Sequence, residues 1–262
     1  MARHADWPSR FEGHDFPQSI PDPDDVLAGA PAPWAALPTD ERTGIDLATV
    51  RRRLEQAGRV GALTTYPEPA QVTTQVIDGV EEPFSGQSAV LVALFEEAGS
   101  THVVLTRRSF ELRFHSGEIA LPGGRRDPGE SPIDTALREA REEVGIAEGS
   151  VQYVGWLSPL MTLASGSSIS PIVGRLAERP ELVIDQAEVD RAFTVSLDEL
   201  LADGAYLQER WRREFSPFGS DPDGFFPIYF YRVPGDLIWG ATARVLTELL
   251  CLATGVGWAD PQ

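Results

Sequence analysis

The stretch 131–145 constrains this chain more than any other. Ser131 ahead of Pro132 is a helix start signal, a cap followed by proline in the first turn, and Asp134 completes a box-like Ser-x-x-Asp. Gly145 is a stop signal. At about 100° per residue, Ile133, Ala136, Leu137, Ala140 and Val144 share one arc of the helix, and Glu139, Glu142 and Glu143 share another. One face must pack on an apolar partner while the other presents three carboxylates together. Like charges three and four apart destabilise a bare helix by about 0.2–0.5 kcal/mol per pair. Arg138 and Arg141 offer one remedy, a solvated, salt-bridged face. A divalent cation bound by hard oxygen ligands offers another.

The flanking sequence supplies the packing partner. Runs at 89–95 and 102–106 are strand-like and are separated by Glu-Glu-Ala-Gly-Ser, a hairpin signal. After the helix at 132–144 the pattern gives strands near 151–157, 169–176 and 190–195, then a helix at 197–203. Strands at 225–231 and 237–239 precede a last helix over 241–253. Strands around one central helix, with a terminal helix, imply a mixed α/β sandwich. Upstream, residues 1–40 hold seven prolines and read as an extended arm, either solvated or wrapped on the domain through Trp7, Phe11, Phe16 and Trp34. Asp46 caps a helix with an apolar face of Leu47, Val50 and Leu54 that ends at Gly58. Residues 61–87 form a loop-rich link with one alternating stretch around 72–77.

Charge narrows the chemistry. The 262 residues carry a net charge of −18, which repels nucleic acid and anionic membrane, so neither is expected as a partner. Every one of the 22 basic residues is arginine, which excludes Schiff-base lysine and P-loop chemistry. The single Cys251 excludes an internal disulfide and a multi-cysteine zinc site, and is expected in the core of the last helix. No run approaches a membrane span and no signal peptide is evident, so the expected location is cytoplasmic. Residues 101–126 run against the overall charge: five arginines (107, 108, 113, 125 and 126) face two glutamates (111 and 118), a local +3 suited to phosphate groups. At least two of these arginines are expected to pair with nearby carboxylates instead.

From Gly124 the chain reads GRRDPGESPIDTALREAREEVGI, with Glu130, Arg138, Glu139, Glu142, Glu143 and Gly145 at fixed intervals. This resembles the Nudix box with every fixed position filled. The resemblance implies an α/β/α sandwich with a mixed sheet and a hydrolase of nucleoside diphosphates linked to another group. It also implies Mg²⁺ or Mn²⁺, held by the Gly123 carbonyl, Glu139 and Glu143, with Glu142 as a further ligand or the base. Glu130 and Arg138 would pair to hold the loop on the helix. The domain organisation expected is an extension over 1–80 followed by the hydrolase domain over 81–262.

Just upstream, LTRRSFELRFHSGEIALPGG resembles the additional signature of the coenzyme A diphosphatase subfamily, matching at Leu105, Thr106, Arg108, Ser109, Arg113, Gly117, Pro122, Gly123 and Gly124. Leu121 stands where phenylalanine is usual. The segment Ile238-Trp239-Gly240-Ala-Thr-Ala243 also looks like part of that subfamily. The implied reaction cleaves the diphosphate of coenzyme A or its thioesters, with Arg107, Arg108, Ser109, Arg113 and Arg125 as the substrate-binding set. Rival readings are a Nudix pyrophosphatase for ADP-ribose, NADH or dinucleotides, and a non-catalytic nucleotide-binding regulator of the same fold. Weaker candidates are Glu188, as a further carboxylate for the metals, and His115, where a structural hydrogen bond is favoured over proton transfer. Trp156 and Trp239 are expected in the core. A lid over the site, a homodimer contact or no visible role are the options left open for the arm.

Overall fold

The computed structural model describes residues 18, 20, 21, 23, 25–61, 74–77, 80–83, 87–161, 168–212 and 224–258. Trp7, Phe11 and Phe16 of the arm lie outside these. In chain order the elements begin with β1 (Val26–Ala28), α1 (Leu47–Gln56), β2 (Thr74–Ile77), β3 (Val80–Pro83), β4 (Gln87–Glu97) and β5 (Ser100–Arg108). Next come β6 (Ile119–Ala120), β7 (Gly123–Arg125), α2 (Pro132–Val144), β8 (Gln152–Trp156), β9 (Leu160–Met161) and β10 (Ser168–Arg175). The chain continues through β11 (Val189–Ser196), α3 (Leu197–Leu201), β12 (Tyr206–Arg212), β13 (Phe225–Val233), β14 (Asp236–Trp239) and α4 (Gly240–Thr254).

The hairpin read from the sequence is β4–β5, with Leu94 opposite Val103. Ala98 and Gly99 turn it with φ of 51° and 83°, the left-handed pair whose twist matches the strands. The central sheet runs β11-β5-β4-β10-β8, with β4 and β10 parallel and the other neighbours antiparallel. Alternation along β4 then sorts two layers. Ala89, Leu91, Ala93 and Phe95 meet Ala136, Ala140 and Val144 of α2, while Val92 and Leu94 join Leu54 of α1 and Leu246, Leu249 and Leu250 of α4. This is an α/β/α sandwich on a mixed sheet, the expected fold. The apolar arc of α2 is what seats its glutamates at the sheet's end.

A second, antiparallel sheet, β1-β12-β13-β14, stands beside the first. The sequence pattern placed β13 and β14 as strands but missed β12, in which Gln208, Glu209 and Arg210 break any apolar alternation. One face of this sheet gives Tyr229, Tyr231 and Val233 to the main core. The other gathers Trp211, Phe230 and Leu237 with Ile20 and Val26 of the arm. The Gln18 side chain donates to the Leu237 carbonyl at 2.5 Å and accepts from the Leu237 N–H at 3.0 Å, so the arm holds the β14 edge. At the opposite edge β1 pairs with β12. Trp34 is buried against Tyr206 and Tyr231, at ring-centroid distances of 5.5 and 6.5 Å. The described part of the arm is therefore wrapped rather than solvated.

Candidate active site

α2 begins as its sequence requires. Ser131 accepts from the Asp134 N–H, the Asp134 carboxylate accepts from the Ser131 N–H, and Gly145 closes the helix at φ 73°. Glu130 sits just before this cap and grips Arg138 at both carboxylate oxygens, 2.7 Å to Nε and 3.0 Å to an Nη. It also accepts from the Asp127 N–H and the Thr135 hydroxyl. Arg138 above all, then the Asp127 N–H, holds the Glu130 carboxyl down at about 2. Arg138 in turn reaches Glu139 at 2.8 Å, Glu142 at 3.1 Å and the Arg125 carbonyl at 3.0 Å, which ties the glycine loop to the helix.

Glu139, Glu143 and Glu188 bring one carboxylate oxygen each within 4.8 Å of one another. Glu143 is 3 % exposed, accepts from the Gly123 N–H at 3.1 Å and lies 3.7 Å from Arg108. Burial pushes its carboxyl up to about 7 against those two opposing contacts. Burial raises Glu139 too, with Arg138 pulling the other way. Burial of this kind disfavours the charged carboxylates where little water reaches them, and a divalent cation with hard oxygen ligands is a partner that would compensate them. The glycines make room for it. A Cβ on Gly124 would lie 2.5 Å from the Glu139 carboxylate, and one on Gly123 would lie 2.4 Å from the Ala89 carbonyl oxygen. The residues present therefore fit a divalent metal.

Residues 86–217 match the family model described as the NUDIX domain. The chain belongs to the Nudix family. "Nudix hydrolase 3" of Caenorhabditis elegans is 32% identical over 173 residues, covering 63% of this chain and 72% of that protein. "Uncharacterized Nudix hydrolase NudL" of Photorhabdus laumondii is 40% identical over 163 residues, covering 62% of this chain and 82% of that protein. Among solved structures, a C. elegans Ap4A hydrolase binary complex aligns with a TM-score of 0.39 at 21% identity, covering 45% of this chain and 84% of that one. The protein is a Nudix hydrolase, an enzyme of phosphorus-anhydride bonds.

In this Nudix hydrolase the remaining sequence candidates divide. Glu142 stands apart from the carboxylate trio, half exposed and held by Arg138 and Arg141. Arg107 is committed elsewhere: its Nε donates to the fully buried Asp236 at 2.9 Å, and it also reaches Asp190. Arg191 pairs with the same Asp236, so β5 and β11 are clamped to β14. The Ser109 hydroxyl accepts from the Glu111 N–H and shapes a turn. Arg113 and Arg125 are exposed, and among the described residues no carboxylate pairs with either; Arg113 lies over the Phe114 ring. His115 is bonded to Glu118 at 3.0 Å, which raises its pKa. Cys251 is buried in α4 and Trp156 in the core. Trp239 is only partly buried and lines a cavity of about 520 Å³. That cavity shares Arg108, Gly123 and Gly124 with the acidic cluster and extends to Trp211, Tyr229 and Arg244.

No helix among the described residues is long and apolar enough to cross a membrane. Glu188 is the site residue that the sequence placed weakly. It comes from the loop before β11, where its own carbonyl accepts from the Ser109 N–H at 2.8 Å. That bond links the second carboxylate source to the arginine-bearing segment, and no spacing rule in the sequence announces it.

Proposed function

We propose that this enzyme hydrolyses the diphosphate of coenzyme A or its thioesters, giving 4′-phosphopantetheine, or its acylated form, and adenosine 3′,5′-bisphosphate. The observation that carries the reaction is the trio Glu139, Glu143 and Glu188, gathered against a glycine turn that no Cβ could enter. These carboxylates, with the Gly123 carbonyl, would hold Mg²⁺ or Mn²⁺. The cations would polarise phosphoryl oxygens, offset the site's charge and lower the pKa of bound water. Water adds to one phosphorus as the bridging P–O bond breaks, and Glu142 takes the water's proton. Arg138 and Arg141 hold Glu142 in place for this. Glu130 acts through Arg138, as a positioning residue.

The substrate assignment rests on the stretch 105–125 and on the guanidiniums it supplies. Among the described residues Arg113 and Arg125 have no carboxylate partner and suit phosphate oxygens, while Arg108 stands between the trio and the cavity. Arg107 is left out of the substrate contacts because Asp236 holds it. The small-molecule substrate is the only partner in this reading. Incubation of coenzyme A with Mg²⁺, Mn²⁺ or EDTA, with products separated by mass, tests it. Metal-dependent release of adenosine 3′,5′-bisphosphate supports the assignment, and inert coenzyme A beside active ADP-ribose or NADH refutes it.

A further inference from the structure

The cavity beside the metal cradle is walled differently at its two ends. Near the carboxylate trio its lining is Gly123, Gly124, Arg108 and Arg125. Away from it the walls are Leu160, Ile169, Trp211, Ile228 and Trp239, with the Thr242 hydroxyl as a neutral hydrogen-bonding group and with Arg244, which is 6 % exposed and has a partner of its own; the Ser88 hydroxyl lines the cavity opposite Arg125. Its floor is the segment Trp239-Gly240-Ala241-Thr242, where β14 passes into α4. Gly240 takes φ 62° there with nothing within 4 Å of the position a Cβ would occupy. The sequence singled out this segment, and the chemistry above gives it no task.

Resting on the coenzyme A reading, we infer that this cavity receives the pantetheine arm, so the substrate lies across the metal cradle with its adenosine half outside. Two observations set this orientation. The adenosine half carries the additional, fully ionised 3′-phosphate, which is costly to place against apolar walls unless it is paired. The exposed Arg113, which is not part of the cavity's lining, lies outside as a partner for it. The pantetheine arm is uncharged beyond its phosphate, and its dimethyl and ethylene segments match the apolar lining, while Thr242 can serve its amides. The indoles of Trp211 and Trp239 are 6.2 Å apart between centroids, already in contact with each other, so they form a wall and leave no slot to sandwich a base. The second sheet and the start of α4 are thus the specificity element of the enzyme.

The test is calorimetric binding of each product to the Mg²⁺-loaded protein, for the parent, Thr242→Trp and the milder Thr242→Leu. Filling the cavity should weaken 4′-phosphopantetheine at least tenfold in Thr242→Trp, and less in Thr242→Leu. Adenosine 3′,5′-bisphosphate should change less than twofold in both. Unchanged 4′-phosphopantetheine affinity overturns the inference. So does preferential loss of adenosine 3′,5′-bisphosphate, or equal loss of both products in Thr242→Leu at an unchanged melting temperature. Turnover of coenzyme A by the parent protein separates the two claims. A parent that cleaves coenzyme A but fails the product split loses only the orientation, whereas one that leaves coenzyme A intact loses the substrate reading and the orientation with it.

Discussion

Glu143 shows how a single side chain carries both function and cost. It is almost fully buried, and burial pushes its carboxyl up to about 7, so the metal-free protein must hold an unwelcome charge above that pH. Glu143→Gln should therefore lower kcat by at least about 100-fold while leaving the fold intact, as expected for loss of a direct ligand. In EDTA at pH 8 the same variant should melt at or above the parent's temperature; a clearly lower melting temperature would show that the charge is already compensated. Glu130 behaves oppositely. Its carboxyl is held at about 2, below an ordinary 4.5, so the stability it contributes is complete above pH 4.5 and lost as the pH falls toward 2. The melting-temperature gap between parent and Glu130→Gln should be widest near neutrality and narrow through that window. In turnover, Glu130→Gln should cost about 10–100-fold, because Arg138 loses its anchor. Glu139 and Glu143 were legible in the sequence because one helix period sets them on one arc; Glu142 shares that arc but stands apart from the trio, held by Arg138 and Arg141. Glu188 was faint because it reaches the site from a separate loop, through tertiary folding alone. Arg107 misled for a related reason: its partner Asp236 is distant in sequence, and local charge counting does not see it.

At the level of elements, α2 and the β4–β5 hairpin follow from local signals, since caps, a stop glycine and unbroken apolar runs all agree there. The second sheet does not. β12 carries Glu209, which is fully buried, and Trp211, which packs with the arm; its polar residues hide the strand from a hydropathy reading. Besides the main core that the two sheets share, the buried Asp236 with Arg107 and Arg191 ties this sheet to the catalytic one. Removing the carboxylate takes from Arg107 and Arg191 the buried partner they share, and breaking a buried pair from one side costs about 3–5 kcal/mol. Asp236→Asn should lose stability toward the lower end of that range in urea denaturation, because Arg191 is partly exposed. A loss under about 1 kcal/mol would show that the clamp is only a surface ion pair. Ser131→Ala, which removes the α2 cap, should cost about 1 kcal/mol by the same measurement.

For the whole molecule, the wrapped arm and the strong negative charge act on the same problem. The outer face of the second sheet is aromatic and aliphatic; Ile20 and Val26 pack on it, Gln18 holds one edge and β1 pairs at the other. Deleting residues 1–30 should expose Trp211, Phe230 and Leu237, lowering the melting temperature and raising dye binding by exposed apolar surface. An unchanged melting temperature would mean that the arm only rests on the sheet. Against a net charge of −18, residues 101–126 hold a local +3, and this segment reaches the cavity through Arg108 and Arg125. The central claim concerns what that segment selects. It is tested most directly by measuring kcat/KM for coenzyme A, ADP-ribose and NADH in parallel with saturating Mg²⁺. The account predicts coenzyme A ahead of both by at least about tenfold, a difference of about 1.4 kcal/mol in transition-state binding. ADP-ribose equal to or ahead of coenzyme A would contradict it, leaving the carboxylate trio in place and removing the reading of the arginines.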